Sequence, residues 1–171
     1  MNSEAVRMLA YLGCSSVTLS RELSEPEIRS LPQGICEMIL PVYGRARLML
    51  LNHCPMRTYL GRSADRARCF LCSTGKGTAG TWLTDRLGAR YPLFPLRLPE
   101  GCQVELMDSR PLHLAGKLKG LPALSWLLVF TDETLAVRRQ STAHYAALLK
   151  QECPLPLNIQ GTVGRFAEGV L

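Results

Sequence analysis

The sequence predicts an α/β fold, and this prediction comes from the order of its first local signals. Two short segments rich in β-formers, residues 15–20 and Ile35 to Tyr43, flank a helix signal at Ser24–Ile28. The order strand, helix, strand is typical of a β-α-β unit with parallel strands. The 171 residues fall short of the roughly 250 that an eight-fold β/α barrel needs, so they cannot form a complete barrel.

The first helix and the start of the second follow from capping signals. Ser3 to Leu12 places Val6 and Leu9 at helical spacing, with Ser3 as the predicted cap and Gly13 as the end. In Ser24-Glu25-Pro26-Glu27-Ile28, a Ser cap, a proline in the first turn and acidic residues together predict a helix start.

A hairpin is predicted in the middle of the chain. Residues 82–84 and 89–94 are its two strands, and Gly88 can take the positive φ that its turn needs. Pro92 and Pro95 predict that the second strand lies at the edge of a sheet.

The C-terminal half alternates between further strands and helices. Cys102 to Leu106 alternates as a strand does, and Leu124 to Phe130 predicts a buried strand. Pro111 to Leu118 predicts a short helix, and residues 133–151 predict a longer one. The tail from Pro154 is rich in proline and glycine and is predicted to be extended. The apolar stripe of the longer helix is predicted to consist of Leu135, Tyr145, Leu148 and Leu149.

The composition is that of a soluble globular protein. Hydrophobic residues make up 47% and charged residues 20%, and no apolar run approaches the roughly 20 residues that would cross a bilayer. Residues 1–5 lack the basic and apolar pattern of a secretory signal, so we expect a cytoplasmic protein. The formal charge of +6 favours an anionic partner such as RNA without requiring one.

Four cysteines form a candidate metal site: Cys54, Cys69, Cys72 and Cys102. Residues 44–73 show little regular pattern, which predicts irregular chain around a site. The two-residue gap between Cys69 and Cys72 lets both sulfurs face one centre, in tetrahedral zinc and iron-sulfur sites alike. A zinc ribbon usually shows a second close pair, and its absence favours a cluster over zinc. The alternative is that these residues are ordinary thiols.

The remaining cysteines and the histidines suggest no further site. Two histidines, His113 and His144, fall in segments predicted as helices, with nothing nearby that indicates a catalytic pair. No nucleophile-elbow, zinc-peptidase or phosphate-loop pattern occurs. The other cysteines lie beside apolar runs and are predicted to be ordinary thiols: Cys14, Cys36 and Cys153.

Arginines are frequent around Cys54. Arg45, Arg47 and Arg57 are candidates for binding phosphate or an anionic small molecule, because guanidinium groups pair with such oxygens bidentately. A solvated loop is the alternative interpretation.

Taken in order, several motifs resemble the collagenase-like peptidase family U32, in particular the C-terminal part of its longer bacterial members. The resemblance covers about Ser15 to Leu135. The motifs are Val42-Tyr43-Gly44-Arg45, Asn52-His53-Cys54-Pro55, Cys69-x-x-Cys72, Leu83 to Pro92, Cys102, and Asp108-Ser109-Arg110-Pro111-Leu112.

This resemblance implies a β/α-barrel remnant, a 4Fe-4S cluster and a role in hydroxylation of RNA bases or of a cofactor precursor. The cluster ligands would be Cys54, Cys69, Cys72 and Cys102, with zinc as the alternative metal. A zinc-stabilised nucleic-acid-binding or subunit-interaction module and a peptidase are the alternative functions. No catalytic residue can be named.

The resemblance also implies an organisation in three segments. Residues 1–50 would be a partial β/α-barrel (TIM-like) segment, 51–153 the cysteine-bearing region with an α+β end, and 154–171 an extended tail. Because the first barrel strands are missing from these residues, we expect a partner chain to supply the rest of the barrel. The alternative is a shortened relative that keeps the cluster region without full activity.

Overall fold

The computed structural model describes residues 2–59, 81–98, 101–122, 124–154 and 156–167. The chain divides into two compact units. One contains the residues up to Gly44 and those from Arg110 onward, and the other is Arg45–Ser109. This division differs from the three predicted segments, 1–50, 51–153 and 154–171, because the chain leaves the first unit after Gly44 and returns to it at Arg110.

The first unit begins with the predicted helix, strand and helix. α1 spans Ser3–Tyr11, β1 spans Ser16–Thr18 and α2 spans Glu25–Ser30. Asn2 caps α1, since its side chain accepts from the N–H of Ala5, so the predicted Ser3 cap is wrong by one residue. At α2 the Glu27 carboxylate accepts from both the backbone N–H and the hydroxyl of Ser24, at 2.7 and 2.6 Å.

The sheet of the first unit is built around β2, Glu37–Gly44. β2 pairs in parallel with β1, as the sequence predicts, and in parallel with β8, Ser125–Leu128. It also pairs antiparallel with β7, Leu112–His113. Met38, Leu40, Val42 and Tyr43 are all buried, which is the pattern of a strand covered on both faces.

β7 corrects the prediction for Pro111 to Leu118. This stretch forms the short strand β7 and then a 3₁₀ turn at Ala115–Lys117, in place of a helix. The leucines still enter the core, because Leu112, Leu114 and Leu118 are buried against β2 and its neighbours. Their spacing of two and four residues therefore reflects a strand followed by a turn.

α4, Leu135–Leu149, is the long helix predicted near the C-terminus, and Thr134 caps it. Tyr145 is buried, as predicted, and Leu148 is partly buried. Leu135 and Leu149 are exposed, so the predicted apolar stripe is wrong at both ends, and the second fully buried residue of α4 is Ser141. The predicted extended tail packs against the first unit. Phe166 is buried in its core, and the Phe166 carbonyl accepts from the N–H of Glu25 in α2 at 2.9 Å.

The second unit holds an antiparallel sheet with the strand order β3-β6-β5-β4. The strands are β3, Arg47–Leu51; β4, Trp82–Thr84; β5, Arg90–Leu98; and β6, Gly101–Met107. The short helix α3, Pro55–Tyr59, follows β3. β3 and α3 correct the prediction that residues 44–73 are irregular, as far as Tyr59.

The predicted hairpin is formed by β4 and β5, with Gly88 at φ 85° in its turn. β5 lies between β4 and β6, so the predicted edge position is wrong for the strand as a whole. Among the described residues, Pro92 nevertheless pairs with β4 alone, opposite Trp82, and Pro95 with β6 alone, opposite Val104. A proline can replace a ladder donor where its strand has one neighbour, and these pairings agree with that rule.

The described residues show a mixed α/β fold without a closed barrel. Within this part of the chain, every helix is too short or too polar to cross a lipid bilayer.

Candidate metal centre

Cys54 lies in the second unit, directly before α3. Its side chain is half-buried and packs against the small cluster formed by Leu93 and Val104. Its carbonyl oxygen accepts from the N–H groups of Arg57 and Thr58, at 3.1 and 3.2 Å, and so starts the helix. The apolar cluster on one side and the helix start on the other fix the position of this thiol.

Cys102 lies at the start of β6 in the same unit and is also half-buried. β3 and β6 pair antiparallel with Leu51 opposite Val104. The next step of this register sets Asn52 beside Gln103, and the Gln103 amide N–H donates to the Asn52 Oδ1 at 2.9 Å. Cys54 follows Asn52 by two residues, so the structure brings Cys54 and Cys102 to the same end of the sheet.

Cys69 and Cys72, the other two predicted ligands, lie outside the described residues. Among the residues that the structure does describe, no group of three or more His, Cys, Asp or Glu side chains could hold a metal ion. Because half of the predicted ligand set falls outside this part of the chain, the site remains a prediction.

The predicted anion-binding arginines differ in what they contact. Arg45 donates from its Nη1 to the carbonyl oxygens of Asp108 and Ser109, at 2.9 and 2.6 Å. Arg47 forms an ion pair with Glu105, 2.8 Å apart, across the β3-β6 ladder. These contacts give both side chains a role in holding the second unit together.

Arg57 is different, since no hydrogen bond or ion pair links its guanidinium to any residue that the structure describes. It lies in the last turn of α3, three residues after Cys54, and is half-buried. Of the three predicted arginines, Arg57 is therefore the one whose guanidinium has no protein partner in this part of the chain.

The first part of the chain is similar to a known protein family. Residues 1–72 match the model of peptidase family U32. The matched part contains α1, β1, α2, β2, β3 and α3, together with Cys54, Cys69 and Cys72. Cys102 and the hairpin lie outside it, so the U32 match covers less of the chain than the resemblance in the sequence motifs. No curated protein and no solved structure matches the chain.

Outside the U32 match, the structure assembles a cluster of aromatic and imidazole side chains that sequence reasoning missed. His113 on β7 and His144 on α4 both contact the Tyr145 ring, with ring centroids 5.7 and 5.8 Å from it. Burial and the neighbouring His144 lower the pKa of His113. The sequence predicts a helix at His113, where this residue has no reason to meet His144, so its pattern gives no sign of the cluster.

A cleft of about 1390 Å³ opens in the first unit, lined mainly by apolar side chains that include Met38, Leu118 and Trp126. At its wall the Ser125 hydroxyl donates a hydrogen bond to the Glu37 carboxylate. Glu37 and Ser125 are the first residues of the parallel strands β2 and β8, so the cleft reaches their amino ends. Ligands of open α/β sheets usually bind at the carboxyl ends, so the cleft is not the expected active site.

Proposed function

We propose that this chain is a U32 family protein in which Cys54, Cys69, Cys72 and Cys102 hold a 4Fe-4S cluster. The U32 match over residues 1–72, which includes three of these cysteines, is the observation that carries the proposal. The positions of Cys54 and Cys102 support it, because two half-buried thiols at one end of a sheet suit a thiolate-bound centre.

The donor chemistry around the two described cysteines fits such a group. Soft thiolates select zinc or iron-sulfur centres over calcium and magnesium. The apolar cluster of Leu93 and Val104 against Cys54 limits the contact of this sulfur with water. A bound cluster would supply electron transfer, and the residues of this chain would hold it and exclude solvent.

We further propose that the protein takes part, in the cytoplasm, in hydroxylation of RNA bases or of a cofactor precursor. The excess of positive charge supports an anionic substrate, and so does Arg57, whose guanidinium has no partner among the described residues and which follows Cys54 by three residues. Arg45 and Arg47 would attract such a substrate by their positive charge and not by direct contact, since their side chains already have partners in the second unit.

A partner chain would complete the fold of the first unit as a β/α barrel. β1, β2 and β8 are parallel neighbours, and α2 connects β1 to β2, which is the repeating arrangement of such barrels. Among the described residues, β1 and β8 each pair with β2 alone. Both strands therefore keep an edge at which further strands can pair.

The experiment is a measurement of iron, acid-labile sulfide and zinc in protein purified without oxygen. The cluster requires about four irons and four sulfides per chain, with broad visible absorbance. Stoichiometric zinc in a colourless protein would replace this proposal with the zinc-stabilised binding module. Protein that stays free of metal after anaerobic reconstitution with iron and sulfide would overturn both readings. Gelatin cleavage that survives stringent purification would favour the peptidase.

The anionic-substrate part needs a separate measurement. Binding of single-stranded RNA should weaken steeply with salt, as phosphate contacts require. Arg57→Ala should lower the affinity, whereas Arg7→Ala should not, since Arg7 is exposed and ion-paired with Glu4 on α1. Equal affinities of both variants and the unaltered protein would exclude Arg57 from the interface.

A further inference from the structure

His113 and His144 lie next to each other although 30 residues of sequence separate them. Their ring centroids are 6.0 Å apart with an angle of 48° between the planes. Both side chains are half-buried, so solvent can reach the pair. β7 carries His113 and α4 carries His144, and both elements belong to the first unit.

A hydrogen bond to Tyr145 holds one ring nitrogen of His113. The hydroxyl of Tyr145 lies 2.9 Å from the carbonyl oxygen of Val42 and 2.9 Å from the Nδ1 of His113. Its one proton can go to either acceptor, since Val42 also accepts from the Leu114 N–H at 3.0 Å. When the phenol donates to Val42, it accepts from the Nδ1–H of His113, and the lone pair of neutral His113 is then on Nε2.

The backbone holds the His113 ring in place. Its N–H donates to the Thr162 carbonyl at 2.8 Å, which ties β7 to the C-terminal tail. Gly161 lies so close that an added Cβ would come within 2.4 Å of the His113 Cβ. The position of this imidazole is thus set from three sides, by α4, β2 and the tail.

This is the arrangement that a metal-ligating histidine usually has. Such a histidine donates one ring N–H to an oxygen partner, which orients the ring and makes the other nitrogen a better ligand. With metal–nitrogen bonds of about 2.0–2.1 Å, two imidazoles on one ion have ring centres roughly 5 to 6 Å apart. We propose that His113 and His144 bind one divalent transition-metal ion, such as Zn²⁺, between them.

The site would have two protein ligands and would keep open positions. Among the residues that the structure describes, no third His, Cys, Asp or Glu side chain joins the two histidines in such a group. Imidazole nitrogens suit Zn²⁺, Cu²⁺ and Ni²⁺ and disfavour Ca²⁺ and Mg²⁺. The two histidines belong to the first unit, whereas Cys54 and Cys102 belong to the second.

The test is a Zn²⁺ titration at neutral pH of protein labelled with ¹⁵N in its histidines, followed by the ring-nitrogen signals. The chain has three histidines, so each signal can be assigned by substitution, and cysteine-bound metal does not contribute ligand shifts to them. Nε2 of His113 and one ring nitrogen of His144 should shift together with a single dissociation constant, while exposed His53 should lag behind.

His144→Gln keeps a polar side chain on α4 and removes one ligand, so it should weaken the binding at His113 by at least about 10-fold. His53→Gln is the matched control and should leave it unchanged. The proposal is overturned if His113 Nε2 does not shift with millimolar Zn²⁺. It is also overturned if His144→Gln leaves the dissociation constant at His113 unaltered. Neither result bears on the iron content.

Discussion

The hydroxyl of Tyr145 on α4 donates a hydrogen bond of 2.9 Å to the carbonyl oxygen of Val42 on β2, in a buried position. The same carbonyl accepts from the Leu114 N–H at 3.0 Å, and the same hydroxyl is hydrogen-bonded to the Nδ1 of His113 at 2.9 Å. One phenol therefore ties the helix, the central strand and β7 together. Burial raises the pKa of Tyr145 far above its ordinary value, so the phenol stays protonated and keeps donating.

Tyr145→Phe should lower the free energy of unfolding by about 1–2 kcal/mol, because the half-buried Nδ1 of His113 loses its hydrogen-bond partner. Val42 keeps the bond from Leu114, so its carbonyl is not orphaned. Urea unfolding followed by circular dichroism measures the change. Tyr11→Phe is the matched control and should have no effect, since Tyr11 is exposed. Equal stability of both variants would show that the Tyr145 hydroxyl does not stabilise the fold and that only the ring of this residue does.

His113 should make stability depend on pH. Burial, and secondly His144, lower its pKa below the ordinary 6.5, so the folded chain resists protonation that the unfolded chain accepts. The stabilising contribution is complete above pH 6.5 and is lost as the pH falls through the lower, folded-state pKa. Urea midpoints measured across this range should decline more steeply for the unaltered protein than for His113→Gln. Parallel declines would assign the effect to other groups.

The β-α-β start of the chain could be predicted because its signals are local. The proline and the acidic residues after Ser24 define the start of α2, and the β-formers on either side define β1 and β2. The hairpin around Gly88 could be predicted for the same reason, since its turn needs a residue that tolerates positive φ.

The remainder depends on tertiary pairing, which a single sequence does not display. Leu112 and Leu114 predict a helix by composition, but antiparallel pairing with Tyr43 and Gly44 makes this stretch a strand. β3 was hidden because its residues are mostly exposed, so it shows no clear alternation. The meeting of His113 with His144 follows from that strand pairing, and no sequence spacing encodes it.

Gly44 should be among the least replaceable residues of the first unit. Its φ is 125°, and an added Cβ would lie 2.2 Å from the Val129 carbonyl oxygen, where β2 runs beside the end of β8. Gly44→Ala should therefore cost several kcal/mol, since backbone atoms cannot move aside cheaply. Gly88→Ala has positive φ but open space around it, and should cost about 1–2 kcal/mol. Thermal unfolding compares them, and a smaller loss at Gly44 would contradict the close approach.

Substitution by alanine distinguishes the cysteines that bind the metal centre from those that do not. Cys54→Ala and Cys102→Ala should lose iron and stability together, because binding of a metal centre and folding around it are coupled. Cys14→Ala and Cys153→Ala should retain both, since these thiols are exposed. Metal analysis and urea unfolding are the paired measurements. A ligand variant that keeps its full metal content would remove that cysteine from the set.

Packing at Cys54 has to be separated from metal binding. This side chain touches the cluster of Leu93 and Val104, so its truncation costs some apolar contact even without metal. The comparison is therefore repeated on protein stripped by a chelator. If Cys54→Ala and the unaltered protein then unfold at nearly the same urea concentration, the difference seen before stripping comes from the metal. If the whole difference persists, the thiol acts there as a small core side chain, as free cysteines commonly do.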